Sequence, residues 1–127
     1  MWKNRLNKQE GFTLIEIIAV LIILGILAAV AVPRYVDLTA NAENRAIDAG
    51  VSELNGREAL TWANVKISTA GYVDDATTFA LVSTDLGADY TWSAGPTVAG
   101  GSVTFGSQTV ALTRTASTTT APGRWSR

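Results

Sequence analysis

Residues Gly11–Pro33 read GFTLIEIIAVLIILGILAAVAVP, and this stretch decides the architecture. From Phe12 to Val32 every residue is apolar or small except Thr13 and one carboxylate, Glu16. About 20 apolar residues make a helix long enough to cross the hydrocarbon core of a bilayer. Glu16 is therefore conspicuous. A carboxylate in an apolar helix is costly and persists mainly where it finds a partner; near a membrane interface the cost is smaller. Gly25 and Pro33 are the two positions expected to interrupt the helix. Proline lacks an N–H and crowds the preceding turn, and glycine weakens helix locally. In membrane helices both are tolerated as kinks.

Outward from this stretch, the preceding residues hold Lys3, Arg5 and Lys8 against Glu10, a formal charge of +2 in a chain of net −1. By the positive-inside tendency, these residues are expected in the cytoplasm and everything after Pro33 on the far side. A signal peptide cut after Ala28, Ala29 or Ala31 is the competing reading, against which the apolar run is long. Cleavage before the run, between Gly11 and Phe12, is the alternative.

Gly11-Phe12-Thr13-Leu14-Ile15-Glu16 resembles the processing motif of type IV pilins and type II secretion pseudopilins. The likeness continues through the apolar run, and Pro33-Arg34-Tyr35-Val36-Asp37-Leu38 looks most like pilins of the mannose-sensitive haemagglutinin type. The resemblance implies a leader, residues 1–11, removed after Gly11 by a prepilin peptidase, with N-methylation of the new terminus at Phe12. It implies that Glu16 pairs with the Phe12 amine of a neighbouring subunit, and that the helix between Gly25 and Pro33 can melt in a filament. It also implies an inner-membrane precursor with a periplasmic head, which passes into an extracellular pilus or a periplasmic pseudopilus. The implied partners are other copies of the chain, membrane lipid before assembly, an assembly platform in the inner membrane and a cytoplasmic ATPase.

Beyond the apolar segment 12–33, mixed charge replaces apolarity. Val36, Ala40, Ile47, Val51, Leu54, Trp62 and Val65 recur near helical spacing, predicting an amphipathic helix over 34–65. Asn44 and Glu58 leave gaps in the stripe, and Gly50 and Gly56 weaken the helix without ending it. Asp37, Glu43, Arg45, Asp48, Glu53 and Arg57 read chiefly as a solvated face.

Residues 66–127 are expected to form a connecting region and a small antiparallel sheet. Asp74 or Asp75 would cap a short helix placing Phe79, Val82 and Leu86 on one side, with a short strand as the alternative. Asp74, Asp75, Asp85 and Asp89 are the metal candidates, and the resemblance to major pseudopilins makes calcium the ion to consider. They lack EF-hand spacing, so capping and solubility account for them and no cofactor is expected.

Tyr90 and Trp92 alternate onto one strand face, and a loop is expected between Gly95-Pro96 and Gly100-Gly101. Gly106-Ser107 suits a type II′ hairpin turn opposing Val103 to Val110 and Phe105 to Gln108. That register collects Val103, Phe105, Val110 and Leu112 on one face and leaves threonines on the other. The long helix is the candidate to cover the apolar face, giving an α+β fold. The Thr-rich residues 114–127 are either an edge strand or a loose surface segment, with Trp125 as an anchor.

With no cysteine and no histidine, the chain has no disulfide, thiolate nucleophile, Cys-based zinc site or Ser–His triad. No phosphate-binding loop or nucleic-acid signature is present. The sequence therefore points to a structural filament subunit rather than an enzyme. Its alternatives are a secretion pseudopilin and an unprocessed, membrane-anchored binding domain. Many pilins close the head with a disulfide; here something else must do so.

Overall fold

A computed structural model describes residues 11–127. The first element, α1, runs Leu14–Ile67, followed by α2 at Asp75–Phe79 and by strands β1 (Tyr90–Thr97), β2 (Gly100–Phe105), β3 (Gln108–Thr115) and β4 (Arg124–Ser126). The strands form one antiparallel sheet in the order β1-β2-β3-β4. The architecture is thus α+β, a long helix with a four-stranded meander. The chain divides into two compact units, the first ending at Asp37 and the second spanning Leu38–Arg127.

In the first unit the helix is apolar and exposed: every residue from Gly11 through Asp37 faces solvent. Its length and composition suffice to cross a membrane. α1 runs on through both Gly25 and Pro33. A single proline removes one ladder bond, and the remaining bonds on either side keep the helix continuous.

In the second unit the helix buries a stripe made by Ile47, Gly50, Leu54 and Glu58, spaced by three and then four residues. Ile47 and Leu54 form one core with Val103, Leu112 and Trp125, flanked by Val51, Phe79, Leu86, Tyr90, Trp92, Phe105 and Val110. The expected covering of the sheet by the helix is what the structure shows. Trp62 and Val65 are half-buried, whereas Val36, expected on the stripe, is exposed. Ring contacts tie the layers together, with Trp92 and Phe79 centred 5.6 and 6.2 Å from Trp125. Such tilted pairs add about 0.5–1.5 kcal/mol each beyond burial.

The β2–β3 hairpin has the register read from sequence, Val103 opposite Val110 and Phe105 opposite Gln108. Gly106 takes φ +59° and, among the described residues, no non-glycine residue has a positive φ, so only the first turn position is left-handed, which is the type II′ signature. The turn is also tied down: Glu43 on α1 accepts from the Ser107 amide at 3.1 Å and its hydroxyl at 2.7 Å.

The loop expected between Gly95-Pro96 and Gly100-Gly101 shrinks to a turn at Val98 and Ala99, because β1 runs through Gly95 and Pro96 to Thr97 and β2 starts at Gly100. β1 and β2 stay paired out to Thr97 and Gly100, with register irregularities on both sides of Ala94. An edge strand tolerates Pro96 because its outward side needs no ladder donor. Gly100 is required by close approach, since a Cβ there would strike the Leu112 carbonyl.

Candidate functional site

Two constellations stand out, one in each unit. The first opens α1. Glu16 donates its backbone N–H to the Thr13 hydroxyl at 3.3 Å and to the Thr13 carbonyl at 3.1 Å. Thr13 is thus the cap residue, and Glu16 occupies the third helical position of a Thr-x-x-Glu capping pattern, one the sequence reading passed over. An acidic group in the first turn also complements the positive end of the helix dipole. Gly11, Phe12 and Glu16 are all exposed, Phe12 at 79%. Regular structure therefore begins two residues after the Gly11–Phe12 bond, which lies in exposed chain outside the helix. The basic residues Lys3, Arg5 and Lys8 lie outside the described residues.

The second constellation is in the core. Glu58, read from sequence as a gap in the apolar stripe, has no exposed side-chain surface, and neither does Arg114. Arg114 Nε donates to Glu58 Oε1 at 2.5 Å and Nη2 to Glu58 Oε2 at 3.0 Å. On its other flank, Nη1 and Nη2 each donate to the Asp75 carboxylate at 2.8 Å, and Nη1 also donates to the Val98 carbonyl at 3.1 Å. All five guanidinium N–H donors are thereby used. The Phe79 ring lies 4.5 Å from the guanidinium carbon.

The carboxylates are completed by others. Glu58 Oε1 accepts from the Trp125 indole N–H at 3.0 Å, and Asp75 Oδ1 accepts from the Ser117 amide and hydroxyl, each at 2.7 Å. Among the described residues no buried side-chain N or O lacks a partner. Full pairing is what makes buried charge tolerable, because desolvation otherwise exceeds the Coulomb gain. The Arg114 bonds, reinforced by those from Ser117 against the opposing effect of burial, hold the Asp75 carboxyl at about 2. Burial disfavours the Arg114 charge, but the bonds to Glu58 and Asp75 outweigh it and push its pKa up.

The four metal-candidate aspartates are not brought together. Asp74 caps α2 by accepting from the Thr77 amide at 2.7 Å, which lowers its pKa. Asp75, half-buried, belongs to the triad with Glu58 and Arg114. Asp85 accepts from the Gly87 amide at 2.9 Å, and Asp89 is exposed. Among the described residues no group of three or more acidic, His or Cys side chains is placed to hold a metal ion.

Of the helix charges read as solvated, Glu43 instead ties the hairpin turn. Arg57 binds Glu53 at 2.9 Å and the Ser83 and Asp85 carbonyls at 3.1 and 2.6 Å. The triad was missed because its members lie far apart in sequence. The one visible signal was a carboxylate at the stripe spacing of Leu54 plus four.

Comparison with known proteins bears on the first constellation. Residues 6–32 match the prokaryotic N-terminal methylation motif. The chain is 42% identical over 59 residues to the type IV narrow pilus major component of Thermus thermophilus, covering 46% of this chain and 51% of that protein. It is 46% identical over 50 residues to a fimbrial protein of Pseudomonas aeruginosa, 39% of this chain and 30% of the other. It is 63% identical over 35 residues to a type IV major pilin protein of Neisseria gonorrhoeae, 28% of this chain and 21% of that pilin. The chain thus spans about half or less of the length of these relatives. No solved structure matches it.

Proposed function

We propose that this chain, a member of the type IV pilin family by its N-terminal third, is a structural subunit of a helical pilus filament. The observation that carries the reading is the methylation motif, set on an exposed apolar segment, 12–33, whose one carboxylate, Glu16, lies in the first turn of α1. Cleavage between Gly11 and Phe12 places a new α-amine just ahead of the capped helix. A positive group there opposes the helix dipole, and a carboxylate from an adjacent copy offsets it. Pairing Glu16 with the Phe12 amine of a neighbour neutralises both charges as apolar helices exchange lipid for one another.

In this scheme a prepilin peptidase acts on the Gly11–Phe12 bond, and Phe12 is methylated. The precursor waits in the inner membrane with its leader cytoplasmic, and the assembly platform and a cytoplasmic ATPase supply the work. Gly25 and Pro33, the weakest helix formers in the apolar segment, are where the packed helix lengthens under load. The named relatives are pilus and fimbrial proteins, which favours a surface pilus over a secretion pseudopilus.

The test is N-terminal peptide mass spectrometry on filaments sheared from cells making the protein. A peptide beginning at N-methylated Phe12 in the sheared fraction is expected. The same peptide confined to membranes would indicate a pseudopilin, and an intact leader everywhere would overturn the reading.

A further inference from the structure

Residues 116–127 are held in an unusual manner. Only the three residues of β4 pair with the sheet, at Thr113, Arg114 and Thr115. Apart from that pairing, other parts of the chain grip the segment's backbone with side chains. Tyr72 Oη donates to the Ser117 carbonyl at 2.8 Å, Trp62 Nε1 to the Thr118 carbonyl at 2.8 Å, and Lys66 Nζ to the Thr119 carbonyl at 2.8 Å. Asp75 accepts from the Ser117 amide. Asn55 makes two contacts with a single residue: its Oδ1 accepts from the Trp125 amide at 2.6 Å, and its Nδ2 donates to the Trp125 carbonyl at 3.0 Å. The Asn55 carboxamide thus pairs with β4 as the next strand's backbone would, closing that sheet edge.

Trp125, 1% exposed, fills the core beneath, with its indole N–H on Glu58. Side chains reading the backbone of a segment that turns between Thr118 and Ala121, with one buried aromatic anchor, is how a protein holds a peptide. Asn55-Gly56 points the same way. Asn-Gly is a turn signal that disfavours helix, yet it sits inside α1. A local rule broken in this manner marks a position kept for another purpose.

We infer that the face formed by Asn55, Glu58, Trp62, Lys66, Tyr72 and Asp75 is a binding slot for a tryptophan-bearing segment. The chain fills this slot with its own residues 116–127. The strap opens as a separate unit, with the β2–β3 hairpin still folded, and free peptide of the same sequence competes for the slot.

Hydrogen exchange read by mass spectrometry on the full chain in detergent micelles tests this. In Asn55→Ala, which removes two hydrogen bonds from β4, exchange over 116–127 should rise roughly tenfold or more while residues 100–113 keep their protection. Trp125→Phe, which keeps the ring and loses the N–H, should raise strap exchange by a smaller factor. Equal loss of protection across both regions in Asn55→Ala, or no loss in either, would overturn the inference. A full-length chain carrying a protease site inserted between Thr115 and Ala116, at the end of β3, gives the second measurement. After cutting, the strap should co-elute with the rest and exchange with excess labelled peptide of residues 116–127. A strap that leaves at once from a still-folded head would refute the slot.

Discussion

Glu58 and Arg114 lie 56 residues apart in sequence and meet as a two-pronged ion pair with neither side chain exposed. In a chain without cysteine this pair, extended to Asp75, links α1, α2 and β3 without a covalent bond.

Removing the central cation should be severe. Arg114→Leu leaves the Glu58 carboxylate buried opposite Asp75, with no cation between them. The expected cost is about 3–5 kcal/mol. Arg114→Lys should recover little of it, since an ammonium cannot serve both carboxylates with two bonds each. Chemical unfolding of the full chain in detergent, followed by tryptophan fluorescence, measures both. A loss under about 1 kcal/mol for Arg114→Leu would contradict the role assigned to the triad.

Acid should weaken the head through Asp75. Its carboxyl sits at about 2 in the folded chain against an ordinary 3.8. A depressed pKa stabilises the fold above the ordinary value, and that contribution is lost as pH falls from about 4 towards about 2. With the side chain 18% exposed, the contribution is about 2 kcal/mol. Asp75→Asn should lower stability at pH 7 and flatten its decline between pH 4 and 2. An unchanged acid limb in Asp75→Asn would place the linkage elsewhere.

The two glycines of the amphipathic half should respond oppositely to alanine. A Cβ on Gly56 meets nothing within 4 Å, so Gly56→Ala should stabilise by about 0.5–1 kcal/mol through helix propensity. A Cβ on Gly50 meets the Tyr90 ring at 3.1 Å and Leu86 at 3.3 Å. Because Tyr90 is also pinned by its hydroxyl donating to the Ala46 carbonyl at 2.7 Å, Gly50→Ala should destabilise by about 1–3 kcal/mol. Melting temperatures of the two variants should move in opposite directions.

At the other constellation, Glu16→Ala should leave the chain cut at Gly11 and folded, but reduce sheared filaments by tenfold or more. The reason is that an unpaired amine is costly in an apolar filament core. Filament yield by electron microscopy, with the N-terminal peptide identified in membranes, checks it. Normal filaments from Glu16→Ala would remove Glu16 from assembly.

Much of the architecture was legible because its causes are local. The apolar run is a property of consecutive residues. The β2–β3 register follows from one glycine-first turn and a period of two, whereas the choice between helix and strand after Asp74, and between Asp74 and Asp75 as cap, stayed open until the structure placed α2 at Asp75–Phe79. What misled was also local reading. Gly95-Pro96 signals a turn, yet β1 continues through it because that strand lies at the sheet edge, where a missing donor is harmless. Glu58 registered as a defect in an apolar stripe because its partners, Asp75, Arg114 and Trp125, enter only once the sheet has closed on the helix. Asn55 had no signal beyond its unfavourable place in a helix.

By itself, then, the sequence determined the long helix, the β2–β3 hairpin and the N-terminal motif, which resides in six consecutive residues. Tertiary structure alone decided how the head is closed. A buried charge is tolerated only when every donor and acceptor around it is matched at once, and that matching draws on α1, α2, β3 and the strap together, which no window of sequence contains.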